Sequence, residues 1–148
     1  MNVKDVQVFI DCTLEYFKKV TGTEAVMGVP YMKTEKLELI DYTGLIGITG
    51  KQKGGVYFST STAMIQAVTG IVLGQEETAE EDLYAMIGEI ANTISGNVRT
   101  VFGPNFMISV PVVVKGRPET FKFQLKPPTF VIPFTWQGHD SLLVVGVD

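Results

Sequence analysis

Cysteine and histidine are nearly absent: the chain has one of each, Cys12 and His139. A single cysteine cannot close an internal disulfide, which suits a reducing compartment. Its place on the first predicted helix makes it a small buried hydrophobe rather than a reactive thiol. His139 has no Cys or His companion and falls in a predicted turn, so it reads as solvated rather than as a metal ligand. Basic charge is also short. Charged residues make up 19% and the net charge is -4, which argues against a partner held by phosphate contacts such as nucleic acid. Long apolar runs are missing: none approaches the ~18–20 residues of a membrane span. The opening MNVKDVQVFIDC lacks the basic region and apolar stretch of a signal peptide. These gaps predict a soluble, cytoplasmic protein with no membrane partner.

Hydrophobic residues, by contrast, make up 45% of 148 residues, enough for one domain over 1–148 with one sizeable core. The stretch around which the rest is arranged is 82–102, DLYAMIGEIANTISGNVRTVF. At about 100° per residue, Leu83, Ile87, Ile90, Ala91, Ile94, Val98 and Val101 share one apolar face of a long helix. Asp82, Ala85, Glu89, Asn92, Thr93, Gly96 and Arg99 share the other. A solvated face normally carries several Lys and Glu. This one offers a Glu and an Asn about 60° apart, with Ala85 and Gly96 one turn to either side. Small flanks let another molecule approach closely. On spacing alone the same pair also fits an ordinary solvated face.

A first helix is predicted over 4–21, with a stripe of Val6, Phe9, Ile10, Thr13, Phe17 and Val20 and a stop at Gly22. Two short strands are expected at 25–33 and 35–42. Residues 45–50 and 55–61 read as a hairpin joined by KQKG. The glycines there lack the G-x-x-x-x-G-K-[ST] order and do not open a helix, which excludes a phosphate loop. One of Thr60, Ser61 and Thr62 caps a second helix that ends at Gly74. That helix is apolar nearly all round and is therefore expected to be well buried. The acidic stretch QEETAEED leads into the central helix and suits its positive N-terminal end. Strands are expected in FMISVPVVVKG and over 119–125, up to the break at Pro127 and Pro128. A final hairpin, TFVIPFTWQ to SLLVVGV, turns at Gly138-His139-Asp140.

A shift of 81 residues lays the first helix and its strand on the central helix and its strand. Gly22 falls on Gly103, Val20 on Val101, Pro30 on Pro111, Lys18 on Arg99 and Phe17 on Val98. This points to a pseudo-twofold fold. Under the same shift Glu89 corresponds to Val8 and Asn92 to Asp11, so only one half carries the Glu/Asn pair.

GEIANTISGN followed by ISVPVVVKG resembles the CheX branch of the CheC/CheX/FliY chemotaxis phosphatase family. That family carries E-x-x-N on a long helix, commonly followed by S/A-G-N, then a strand with a proline. FIDCTLEYFKKVTG is similar to a CheX start, and the resemblance spans essentially the whole chain. Family members often place Asp or Ser four residues before the Glu, where this chain has Ala85. The resemblance implies a phosphatase acting on the phosphoaspartate of a CheY-like response regulator. Asn92 would hold the attacking water in line with phosphorus, and Glu89 would pair with the regulator's active-site Lys. No cofactor would be bound by this chain; Mg²⁺ would sit on the regulator's own carboxylates. It also implies a homodimer.

The expected fold is α/β: a CheC-like sandwich with helices packed on a mostly antiparallel sheet and an internal pseudo-twofold duplication. The terminal LLVVGV has few charges to blunt an edge, so the dimer is expected through strand edges. Two alternatives stand beside the phosphatase. One is a non-catalytic regulator-docking or flagellar-switch-like scaffold on the same fold, which Ala85 favours and the Glu89/Asn92 pair disfavours. The other is a small-molecule sensor, for which no convergent polar cluster speaks.

Overall fold

The computed structural model describes residues 1–33, 39–116 and 129–147. The expected strands at 35–42 (in its first part) and 119–125, with the break at Pro127 and Pro128, lie outside the described residues.

Helix α1, Val3–Thr21, opens with a capping box. The Asp5 amide donates to the Asn2 side chain, and the Asn2 amide donates back to the Asp5 carboxylate, so two amides that lack helical partners are satisfied together. It stops at Gly22, whose φ of 78° is a left-handed conformation that glycine adopts without steric cost. Two short strands follow, β1 (Ala25–Met27) and β2 (Tyr31–Lys33), then the long hairpin β3 (Tyr42–Gly50) and β4 (Gly54–Thr60). Helix α2, Thr62–Leu73, is capped by the Ser61 hydroxyl, which accepts from the Met64 amide, and ends at Gly74. Helix α3, Glu80–Phe102, begins two residues before the predicted start. It has no side-chain cap, but Glu80, Glu81 and Asp82 lie in its first turn, where negative charge meets the positive helix end. Strands β5 (Phe106–Ile108) and β6 (Val112–Lys115) precede the last hairpin, β7 (Thr129–Trp136) and β8 (His139–Val147). The turn of that hairpin is Gln137-Gly138, both at positive φ, as a two-residue turn matched to strand twist requires. His139 starts β8 and stacks against Trp136 instead of sitting in the turn.

The eight strands among the described residues join one sheet, in the order β1-β7-β8-β4-β3-β5, with β2 also on β7 and β6 also on β3; the described pairings are antiparallel. The shift of 81 residues carries β1 onto β5 and the span of β2 into β6. In each half the pair is cut by a proline, Pro30 or Pro111, and lies along the outer strand of a hairpin. At the centre β4 and β8 pair antiparallel, with Tyr57 opposite Val144. The sheet therefore repeats itself about that central pair.

The helices cover one face. Phe9, Phe17, Ile87, Ile90, Ile94 and Val98 meet Ile46, Val56, Phe58, Ile132, Phe134 and Trp136 in the main core. Burying each such side chain contributes about 1.5–3 kcal/mol. The Trp136 indole donates to Thr21 Oγ1 at 3.0 Å, tying the end of α1 to the sheet. Alternate strand positions point the other way, where Leu45, Tyr57, Val131 and Val144 form a second apolar cluster with Leu39.

Three expectations need correcting. The terminal strand is not an edge: β8 lies between β7 and β4, and Val144 and Val145 are buried. The sheet edges are instead β1/β2 and β5/β6, which present Val26, Tyr31, Met32, Met107 and Val112 to solvent. The second helix is not buried all round. It buries Met64, Ile65, Val68 and Thr69, whereas Ile71, Val72 and Leu73 are 45%, 43% and 46% exposed; its last turn has no neighbour to cover it among the described residues. Val20 and Val101, assigned to apolar stripes, are also exposed. They are equivalent in the duplication, and each sits in the last turn of its helix.

Candidate active site

Helix α3 is fixed from several sides. Leu83, Ile87, Ile90, Ala91, Ile94 and Val98 are buried, as the periodicity demands. At its start, Lys115 of β6 pairs with Glu80 at 2.8 Å and lies 5.7 Å over the Tyr42 ring, which itself contacts Tyr84 edge-on. At its end, Arg99 Nε donates to the Phe106 carbonyl at 3.0 Å. Two glycines set how closely the helix sits. A Cβ on Gly44 would stand 3.0 Å from Ala91 Cβ and 3.1 Å from the Ile87 carbonyl oxygen, so β3 and α3 touch backbone to backbone there. Gly88 faces Pro111 and Val113 across ordinary contact distances. Nothing in the local pattern marks these glycines beyond their type.

The polar pair rides on this rigid helix. Glu89 and Asn92 are both exposed, on neighbouring ridges one turn apart, where side chains three residues apart meet. Among the described residues, no hydrogen bond or ion pair engages the Asn92 amide. The Glu89 carboxylate has no cation there either. Its one described hydrogen bond comes from Thr93 Oγ1 to Oε1 at 3.1 Å. Helix α1 packs alongside and supplies Tyr16, which is 4% exposed. The Tyr16 phenol is pushed up to about 12, first by burial and then by the Glu89 carboxylate, so it stays neutral beside that charge. Ala85 is exposed and Gly96 half-buried, with open space where a Gly96 Cβ would be; both small flanks are in place. Cys12 is buried, and burial, then Glu15 and Asp11, raises its thiol, which keeps it protonated and unreactive.

The sequence reading placed Thr93 on the exposed face without a role, and it missed Tyr16. The i,i+4 spacing of Glu89 and Thr93 was a usable signal for the first; nothing local points from α1 to Glu89. Among the described residues, no group of three or more His, Cys, Asp or Glu could hold a metal ion, and no helix is long and apolar enough to cross a membrane.

An exposed amide with free donors and acceptor, beside a carboxylate lacking a cation, can order a water and bind a positive group from outside. It cannot supply a nucleophile of its own. The sequence profile described as chemotaxis phosphatase CheX matches residues 42–135, which include this helix. The chain belongs to the CheX family. Solved structures agree in fold. A CheX chemotaxis protein from Desulfovibrio desulfuricans is 24% identical, with a TM-score of 0.88, covering 99% of this chain and 100% of that one. A CheX protein from Vibrio vulnificus is 22% identical, with a TM-score of 0.85, covering 99% and 100%. A CheX–CheY–BeF3–Mg²⁺ complex from Borrelia burgdorferi is 17% identical, with a TM-score of 0.81, covering 99% of each chain. No curated protein sequence matches the chain.

Proposed function

We propose that this chain hydrolyses the phosphoaspartate of a CheY-like response regulator, with Glu89 and Asn92 as its catalytic residues. The observation that carries the reading is the pair itself: an unengaged amide and a cation-free carboxylate on one exposed helix face. Family membership and the CheX–CheY complex of the Borrelia relative support the choice of partner. The Asn92 amide accepts a hydrogen bond from a water and holds it in line with phosphorus. That water attacks as the phosphorus–aspartyl oxygen bond breaks. The regulator recovers its carboxylate, and the water's oxygen and both of its protons leave with the phosphoryl group as dihydrogen phosphate. Glu89 pairs with the regulator's active-site Lys and orients the two proteins. Mg²⁺ belongs to the regulator's carboxylates, where it would neutralise charge on the phosphoryl oxygens.

The same reading assigns the chain to the cytoplasm and to a homodimer. With β8 in the middle of the sheet, two copies would pair through the β1/β2 or the β5/β6 edge.

The test is the decay of a CheY-like receiver domain phosphorylated with acetyl phosphate, with and without this chain. Acceleration that disappears in Asn92→Ala is expected. Wild-type decay with Asn92→Ala overturns the mechanism. Ala85, which offers no polar group where relatives often carry one, favours a docking scaffold as the second reading. Binding of the phosphorylated domain without faster decay would establish that instead.

A further inference from the structure

The described helical threonines use their hydroxyls in several ways: Thr62 donates to Asp41 Oδ2, Thr69 Oγ1 is buried without a partner, and three others bond their own helix. Thr13, Thr21 and Thr100 each donate their hydroxyl to the carbonyl four residues back, to Phe9, Phe17 and Gly96. That is the ordinary bond of a threonine inside a helix. Thr93 donates instead to the side chain four residues back, Glu89 Oε1 at 3.1 Å. The bond lies on the same exposed face as Asn92 and engages one carboxylate oxygen only. Tyr16 is buried on α1, and the Glu89 charge helps to keep its phenol neutral.

We propose that Thr93 is the positioning residue of the catalytic carboxylate: its hydroxyl holds Glu89 Oε1 and leaves Oε2 presented to an incoming ammonium group. The proposal rests on the phosphatase reading above and adds a residue to it. A free glutamate side chain is among those with most rotamer freedom to lose on binding. One already held in its binding conformation loses less when the partner docks, and affinity rises accordingly. Thr93 therefore acts on encounter with the regulator, whereas Asn92 acts on the chemical step. A substitution at Thr93 should change KM more than kcat.

The experiment compares Thr93→Val, which keeps the shape and loses the hydroxyl, with Thr93→Ser, which keeps the hydroxyl. The substrate is the acetyl phosphate-loaded receiver domain. For Thr93→Val we expect kcat/KM lower by about 3- to 10-fold, mostly through KM, as for the net loss of one ordinary, solvent-exposed hydrogen bond. Thr93→Ser should recover most of it. In a Glu89→Ala background Thr93→Val should cost nothing further, because the two residues act as one unit. Equal losses with and without Glu89, or full activity in Thr93→Val, would overturn the proposal. A second measurement needs no partner. Scalar couplings across Glu89 χ1 in the free chain should report one rotamer in the wild type and averaging in Thr93→Val. Averaging already present in the wild type overturns the proposal and leaves the phosphatase reading standing. A wild-type chain with a fixed Glu89 that fails to speed phosphate loss overturns the phosphatase reading instead. The Kd of the same variants for the beryllofluoride-bound receiver domain then decides the role of Thr93.

Discussion

Helices α1 and α3 are the same object built twice, with one face kept and the other changed. Both are capped by a glycine, both bury an apolar stripe against the sheet, and each leads into a pair of short edge strands cut by a proline. The buried faces correspond: Phe17 and Val98 are each fully buried at equivalent places. The outer faces do not. Where α3 has Asn92 with its amide unengaged among the described residues, α1 has Asp11, whose carboxylate accepts from Gln7 Nε2 at 2.8 Å. Where α3 has Glu89 held by Thr93, α1 has the half-buried Val8. A core position is constrained by packing from every side, so duplication preserves its character. A surface position is constrained only by what docks there. Under the phosphatase reading proposed above, the difference puts the working pair in one half and support in the other.

The strongest way to break this comparison is through the shared core. Phe17→Ala should destabilise the chain by about 3–5 kcal/mol, measured by denaturant unfolding. Loss of α1 alone, with α3 still folded, would show that the halves are independent. Next in size is the functional face. Asn92→Ala should slow stimulated dephosphorylation roughly 10²–10³-fold, about 2–4 kcal/mol of barrier, with the unfolding midpoint unchanged.

Gly44→Ala tests the seat of α3. The new methyl meets Ala91 and the Ile87 carbonyl, and backbone cannot yield as a side chain can. A loss of about 1–3 kcal/mol in stability is expected, with reduced activity because Glu89 and Asn92 move with the helix.

A smaller effect sharpens the contact between the halves. Tyr16 titrates at about 12 in the folded chain against 10.0 for a free phenol. Above pH 10 the unfolded chain therefore gives up this proton while the folded chain keeps it. Stability contributed by the neutral phenol is present below pH 10 and is lost as pH rises from 10 to 12. Tyr16→Phe should flatten that part of the stability–pH curve. The smallest effect belongs to Asp11→Ala, the counterpart of Asn92→Ala, which should leave dephosphorylation within about twofold, as for an exposed side chain outside the site.

What the sequence determined by itself was local. The periodicity of 82–102 settled which face of α3 is buried and that Glu89 and Asn92 share the other, because helical geometry fixes angular position residue by residue. Gly22, Gly74 and the Thr60-Ser61-Thr62 run marked helix ends through backbone conformation and capping, with Ser61 the one the structure uses, and the shift of 81 residues foretold the matching of β1 and β2 with β5 and β6. Only the tertiary structure decided the rest. LLVVGV reads as an edge and lies at the centre, because strand order depends on pairing between distant segments, which an apolar strand does not specify. Ile71, Val72 and Leu73 read as buried and are exposed, because hydrophobicity states a tendency to be covered without supplying the cover. Gly44 matters only because α3 crosses it. Thr93 could have bonded its own backbone, as Thr13, Thr21 and Thr100 do. Its choice of Glu89 is a rotamer, and a rotamer is settled by the surroundings that folding assembles.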